Sequence, residues 1–75
     1  MREIKVDLPS KFGDDAEEVL EDYSDDVSST DIEKEDRKFV EFTSTIDEED
    51  LDEVTEDLKG LEVDSGDLSI KVFEQ

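Results

Sequence analysis

Cysteine, histidine, tryptophan and asparagine are all absent from the 75 residues, and each absence removes chemistry. Without cysteine there is no disulfide, no thiolate nucleophile and no Cys-ligated zinc. Without histidine the commonest general base and the commonest transition-metal ligand are gone. Serine and threonine are present, but with no histidine nothing in the pattern activates them as nucleophiles. Basic residues are scarce: 8 Lys and Arg stand against 27 Asp and Glu, for a net charge of -19. That field repels phosphate, so nucleic acid is an unfavourable partner. No apolar run approaches the roughly 18 residues of a membrane span. Met1-Arg2-Glu3 leads directly into an alternating segment rather than a signal peptide, so the expected location is the cytoplasm.

A chain this short forms one domain, 1–75, and buries only about 60% of its unfolded surface. High net charge with 32% hydrophobic residues also fits disorder. The apolar residues are nevertheless periodic throughout, which disordered acidic chains do not show. The acidity reads as adaptation to high salt. At molar salt the Debye length is about 3 Å, which screens the self-repulsion. Excluded salts also strengthen apolar burial, so a lean core suffices. An acidic interaction surface, such as a mimic of nucleic acid, and plain solvation of a small domain are the alternative readings of the same charge.

Ile4, Val6 and Leu8 alternate with Glu3, Lys5 and Asp7, which predicts a half-buried strand ended by Pro9-Ser10. Phe12, Ala16, Val19, Leu20 and Tyr23 then fall at helical spacing. Asp14 and Glu17 resemble a capping box at the helix start. Residues 26–34 are ambiguous, because Val27 and Ile32 have opposite parity; their polar run suggests an edge strand. Lys34-Glu35-Asp36-Arg37 reads as a hairpin turn. In the next strand Val40, Phe42, Ser44 and Ile46 share one face, and Phe39, Glu41, Thr43 and Thr45 the other. Asp47 is placed to cap a second helix carrying Leu51, Val54, Leu58 and Leu61, with Gly60 as a left-handed stop. After a turn at Asp64–Asp67, Leu68, Ile70 and Val72 alternate with Ser69, Lys71 and Phe73 as a last strand. The order β-α-β-β-α-β predicts an α+β ferredoxin-like sandwich: a four-stranded antiparallel sheet in the order 4-1-3-2, with two helices on one face.

The carboxylates are the first candidates for chemistry. Asp47–Glu53 and Asp25–Asp36 both lack the central glycine of a calcium loop, and a solvated helix start explains the first run. Acid–base pairs need unequal environments, whereas every carboxylate here is expected on an exposed face. No catalytic residue, metal site or cofactor is therefore assigned, and the chain reads as a non-enzyme. Acylphosphatases share this architecture but use an asparagine that is missing here.

The candidate site is instead the open face of the sheet. It is expected to carry Lys5, Phe39, Glu41, Lys71 and Phe73, with the two phenylalanines exposed. Aromatics on such a face stack bases in RNA-recognition domains, but their basic glycine-containing motif is absent. Two readings stand level: each phenylalanine packs over neighbouring lysine and threonine side chains, or the face docks a second copy or another domain, because aromatic anchors favour interface cores. The alternative site is the loop at Gly13, used for small ligands in some domains of this fold; a helix-entry turn is its plainer role.

Three segments carry a family resemblance: Ile4-Lys5-Val6-Asp7-Leu8-Pro9, Arg37-Lys38-Phe39-Val40-Glu41-Phe42 and Asp67-Leu68-Ser69-Ile70-Lys71-Val72-Phe73-Glu74. In pattern the whole chain resembles the soluble N-terminal domain of a family of uncharacterised archaeal and bacterial membrane proteins. That resemblance implies a ferredoxin-like domain ahead of hydrophobic spans, and no site residues come with it. The missing catalytic residue types and the Phe39/Phe73 face make the expected role a non-enzymatic regulatory or interaction domain.

Overall fold

The computed structural model describes residues 2–73; Met1, Glu74 and Gln75 lie outside it, including the end of the third segment quoted above. The elements are β1 (Arg2–Pro9), α1 (Gly13–Glu21), β2 (Ser28–Lys34), β3 (Arg37–Ile46), α2 (Leu51–Lys59) and β4 (Ser69–Phe73). The sheet is antiparallel, in the order β2-β3-β1-β4, the ferredoxin-like arrangement. Each half repeats one local plan, in which a strand runs through a single 3-10 turn into a helix of nine residues.

The alternation of β1 and β3 arises because the helices cover one sheet face. Ile4, Val6, Leu8, Phe42 and Ile46 are turned toward them and are almost fully buried against Ala16, Leu20, Val54 and Leu58. Burial of each large apolar side chain contributes about 1.5–3 kcal/mol, which is how so small a core holds the fold. Gly13 brings α1 close to β3, since a Cβ there would lie 3.4 Å from Val40 Cγ1. Its backbone is ordinary right-handed helix, so Gly13 serves as helix entry.

Several local expectations are corrected. Asp14 does not cap α1: the helix begins at Gly13, Phe12 occupies the N-cap position, and no side chain bonds there. Asp47 has the extended backbone of a cap, but its carboxylate makes no capping hydrogen bond. The 3-10 turns use up part of the first-turn N–H groups through backbone carbonyls, which leaves the side chains in water. Gly60 is right-handed, and the left-handed residue is Glu62, with φ of 66°. The chain keeps winding past Gly60, with the N–H groups of Gly60 and Leu61 bonded to Glu56 and Leu58. Glu35 and Asp36 form the tip of the β2–β3 hairpin with φ of 51° and 67°. Positive φ at both central residues is the geometry that matches strand twist in a two-residue turn.

The parity conflict in β2 dissolves in the register. Ile32 faces Phe39 on the open side of the sheet, while Val27, just before the strand, packs toward the core. No bulge is needed, because each apolar residue serves a different face.

Two polar contacts tie the segment that follows α1 to the rest. Asp26 accepts hydrogen bonds from the Ser24 hydroxyl, from the Thr45 N–H at 3.1 Å and from Ser44 Oγ at 3.5 Å. The Ser24 bond, with the Thr45 N–H next, holds its carboxyl at about 2. The Tyr23 hydroxyl donates to Asp57 Oδ2 at 2.9 Å and joins α1 to α2. That bond, followed by burial and the charges of Asp57, Glu53 and Asp50, pushes the phenol up to about 12. A raised acid keeps its proton, so this contribution to stability is full below the ordinary value of 10.0 and is lost as pH rises through about 12. In an alkaline titration followed by phenolate absorbance, Tyr23 should ionise near 12 in the native chain and clearly lower in Asp57→Ala. Equal midpoints would remove Asp57 as the cause.

Candidate protein-docking face

The register sets the open face. Glu3, Lys5 and Asp7 of β1 stand beside Thr45, Thr43 and Glu41 of β3 and beside Phe73, Lys71 and Ser69 of β4. Phe39 and Arg37 of β3 face Ile32 and Lys34 of β2. All five residues singled out in the sequence thus lie on one surface, but two expectations fail there: the exposure of Phe39 and the exposure of every carboxylate.

Phe39 is not exposed: it retains 6% of its accessible surface. The helix layer does not reach it; its cover comes from neighbouring strands. Lys34 Nζ lies 5.5 Å and the Arg37 guanidinium 5.2 Å from the ring centroid. Both cations are anchored beyond the ring. Arg37 donates two bonds of 2.9 Å to the Asp67 carboxylate, which draws that carboxyl below its usual range and raises the guanidinium. Lys34 reaches Asp7 at 3.3 Å. The two charged heads therefore stand over the ring while each is bonded to a carboxylate.

The second correction concerns Asp7, which is 9% exposed and the one buried carboxylate among the described residues. Its Oδ1 has no hydrogen-bond partner, so Lys34 alone compensates the charge. No sequence signal marked Asp7, because its burial depends on a lysine 27 residues away.

The other end of the face is different. Lys5 and Lys71 stand directly opposite each other on β1 and β4. Lys5 Nζ sits 5.5 Å from the Phe73 ring, and Phe73 is 40% exposed. Neither lysine forms an ion pair among the described residues. Like charges directly across a strand pair destabilise a sheet, so folding alone does not account for this pair. Across the four strands the open face carries Lys5, Lys34, Arg37 and Lys71 against Glu3, Asp7 and Glu41, and is close to neutral. The helices and loops carry the excess negative charge of the chain. Among the described residues no cluster is placed to hold a metal ion. No helix there is long and apolar enough to cross a membrane.

No family model and no curated protein matches the chain. Solved structures do. The apo form of CPII from Thiomonas intermedia K12, a nitrogen regulatory PII-like protein, superimposes with a TM-score of 0.83 at 11% identity. The match covers 96% of this chain and 85% of that one. A DUF3240 family protein from Shewanella baltica OS155 gives 0.80 at 11% identity, covering 99% and 88%. At such identity the likeness shows the fold, and the fold is the ferredoxin-like sandwich.

Proposed function

We propose that this chain is a non-enzymatic regulatory domain of a halophile that works by docking a protein on its open sheet face. The carrying observation is the couple Lys5 and Lys71, without an ion pair among the described residues, beside the half-exposed Phe73 on a near-neutral surface of a chain of charge -19. A partner supplying carboxylates to the two lysines and an apolar group to Phe73 fits that surface. The acidic proteins of a high-salt cytoplasm are repelled least there. The regulatory role of the PII-like neighbour, the missing histidine and cysteine, and the exposure of nearly all carboxylates support the reading.

Lys5→Glu with Lys71→Glu tests it. At molar salt the tagged native chain should retain a stoichiometric protein partner from source-cell extract, and so should Glu17→Lys on the helix side. The double variant should lose it at least tenfold. Equal capture by all three would sink the assignment. The resemblance to the membrane-protein family extends the proposal, with this domain as the cytoplasmic part of a longer polypeptide. An antibody should then find a band well above 8.6 kDa in the membrane fraction, and a soluble band at 8.6 kDa would reject that extension.

A further inference from the structure

The two edges of the sheet are built differently. β2, at one edge, carries Asp31, Glu33 and Lys34 and runs into Glu35 and Asp36. Such charges are the usual guard against another strand. β4, at the other edge, has a single charge, Lys71, in Ser69–Phe73 and no proline. It also holds both exposed large hydrophobics of the described chain, Val72 at 47% and Phe73 at 40%. On the helix side Leu68 and Ile70 are half-buried, and with Val63, Thr55, Lys59 and Val72 they line an open apolar groove. The corresponding β1 residues Ile4 and Val6 are sealed.

We propose that β4 pairs antiparallel with β4 of a second copy, joining two sheets into one continuous sheet. This edge adjoins the open face and shares Lys71 and Phe73 with it, and the pairing goes beyond the docking role above. The occupant follows from symmetry. A two-fold axis normal to the sheet keeps helix sides together, so each strand residue faces one of equal parity in the other copy. Centring on Lys71 sets that lysine against itself at about 5 Å. Centring on Val72 overlaps only 71–73 among the described residues. Centring on Ile70 sets Ile70 against itself and Leu68 against Val72 of the second copy, and both grooves fill with apolar side chains. On the open side Ser69 then meets Lys71, so the two lysines no longer stand directly opposite each other. Of these three registers, centring on Ile70 sets the most apolar side chains across the groove without opposing two lysines. At molar salt the short Debye length, about 3 Å, lets two acidic chains approach.

The chain has no cysteine, so single cysteines read the register directly. At molar salt the native chain should sediment at twice 8.6 kDa, and Val72→Lys at 8.6 kDa with unchanged circular dichroism. Under mild oxidation Ile70→Cys should cross-link, and Lys71→Cys and Val72→Cys at least tenfold less. A native chain that stays monomeric to millimolar concentration, a closed trimer, or preferred cross-linking at 71 or 72 would overturn the proposal. A monomer would leave the docking role of the open face standing, because Val72→Lys keeps Lys5, Lys71 and Phe73 and should still retain the partner from extract.

Discussion

Lowered from molar salt to about 10 mM, the domain should lose its folded circular dichroism and regain it when salt is restored. The Debye length grows from about 3 Å to about 30 Å over that range. The molecule measures 35 × 22 × 19 Å, so at low salt almost every carboxylate repels every other. Local terms add to this. Asp14 and Glu18, Glu17 and Glu21, Asp52 and Glu56, and Glu53 and Asp57 are like-charged pairs one helical turn apart. Such pairs cost about 0.2–0.5 kcal/mol each, so together roughly 1–2 kcal/mol. A domain of this length has roughly 4–11 kcal/mol of net stability at best, so the helices alone use up a sizeable part. Glu18→Lys with Glu56→Lys converts two of the repulsive pairs into attractive ones and should move the salt midpoint down. A domain fully folded in dilute buffer, with the same melting temperature at molar salt, would refute the halophilic reading.

Phe39→Ala should come close to unfolding the chain even at molar salt, while Phe73→Ala should not. The two rings occupy the same face in the same alternation, so sequence treats them alike. Their surroundings differ: Phe39 keeps 6% of its surface and Phe73 keeps 40%. Removing a buried phenylalanine ring costs about 3–5 kcal/mol. The loss extends beyond the ring, because the charged heads of Lys34 and Arg37 stand over it while bonded to Asp7 and Asp67. Truncation would loosen the contacts that hold the β2–β3 hairpin and the Asp64–Asp67 turn to the sheet. Phe73→Ala should cost roughly 1 kcal/mol, near the range of surface changes. Denaturant midpoints at molar salt compare the two directly, and equal losses would show that the cations do not seal Phe39.

The strands and helices were legible wherever one face alone had to be buried. Ile4, Val6 and Leu8, or Leu51, Val54 and Leu58, leave little choice of element, and sheet order follows from joining two strand-helix-strand units. Features that depend on partners distant in sequence were not legible. Phe39 and Asp7 are buried by Lys34, whose position over both is set by pairing register and side-chain length. Asp26 looks like one more acid in an acidic loop, yet it holds the Thr45 N–H across the fold. At Gly60 residue type misled, because the left-handed position fell on Glu62. The candidate face itself was readable from parity, and its uneven burial was not.

The pairing of β1 with β4 sets Glu3 opposite Phe73. The route into the domain and the route out of it are therefore about one strand spacing apart, on the order of 5 Å. A host protein could carry this unit within a surface loop without prising the loop's ends apart, and a linker on either side would leave from the same corner. The order of the elements along the chain is correspondingly free. With the two ends joined by a short bridge, the Glu35–Asp36 tip or the Asp64–Asp67 turn could serve as the new start, and the same sheet would close.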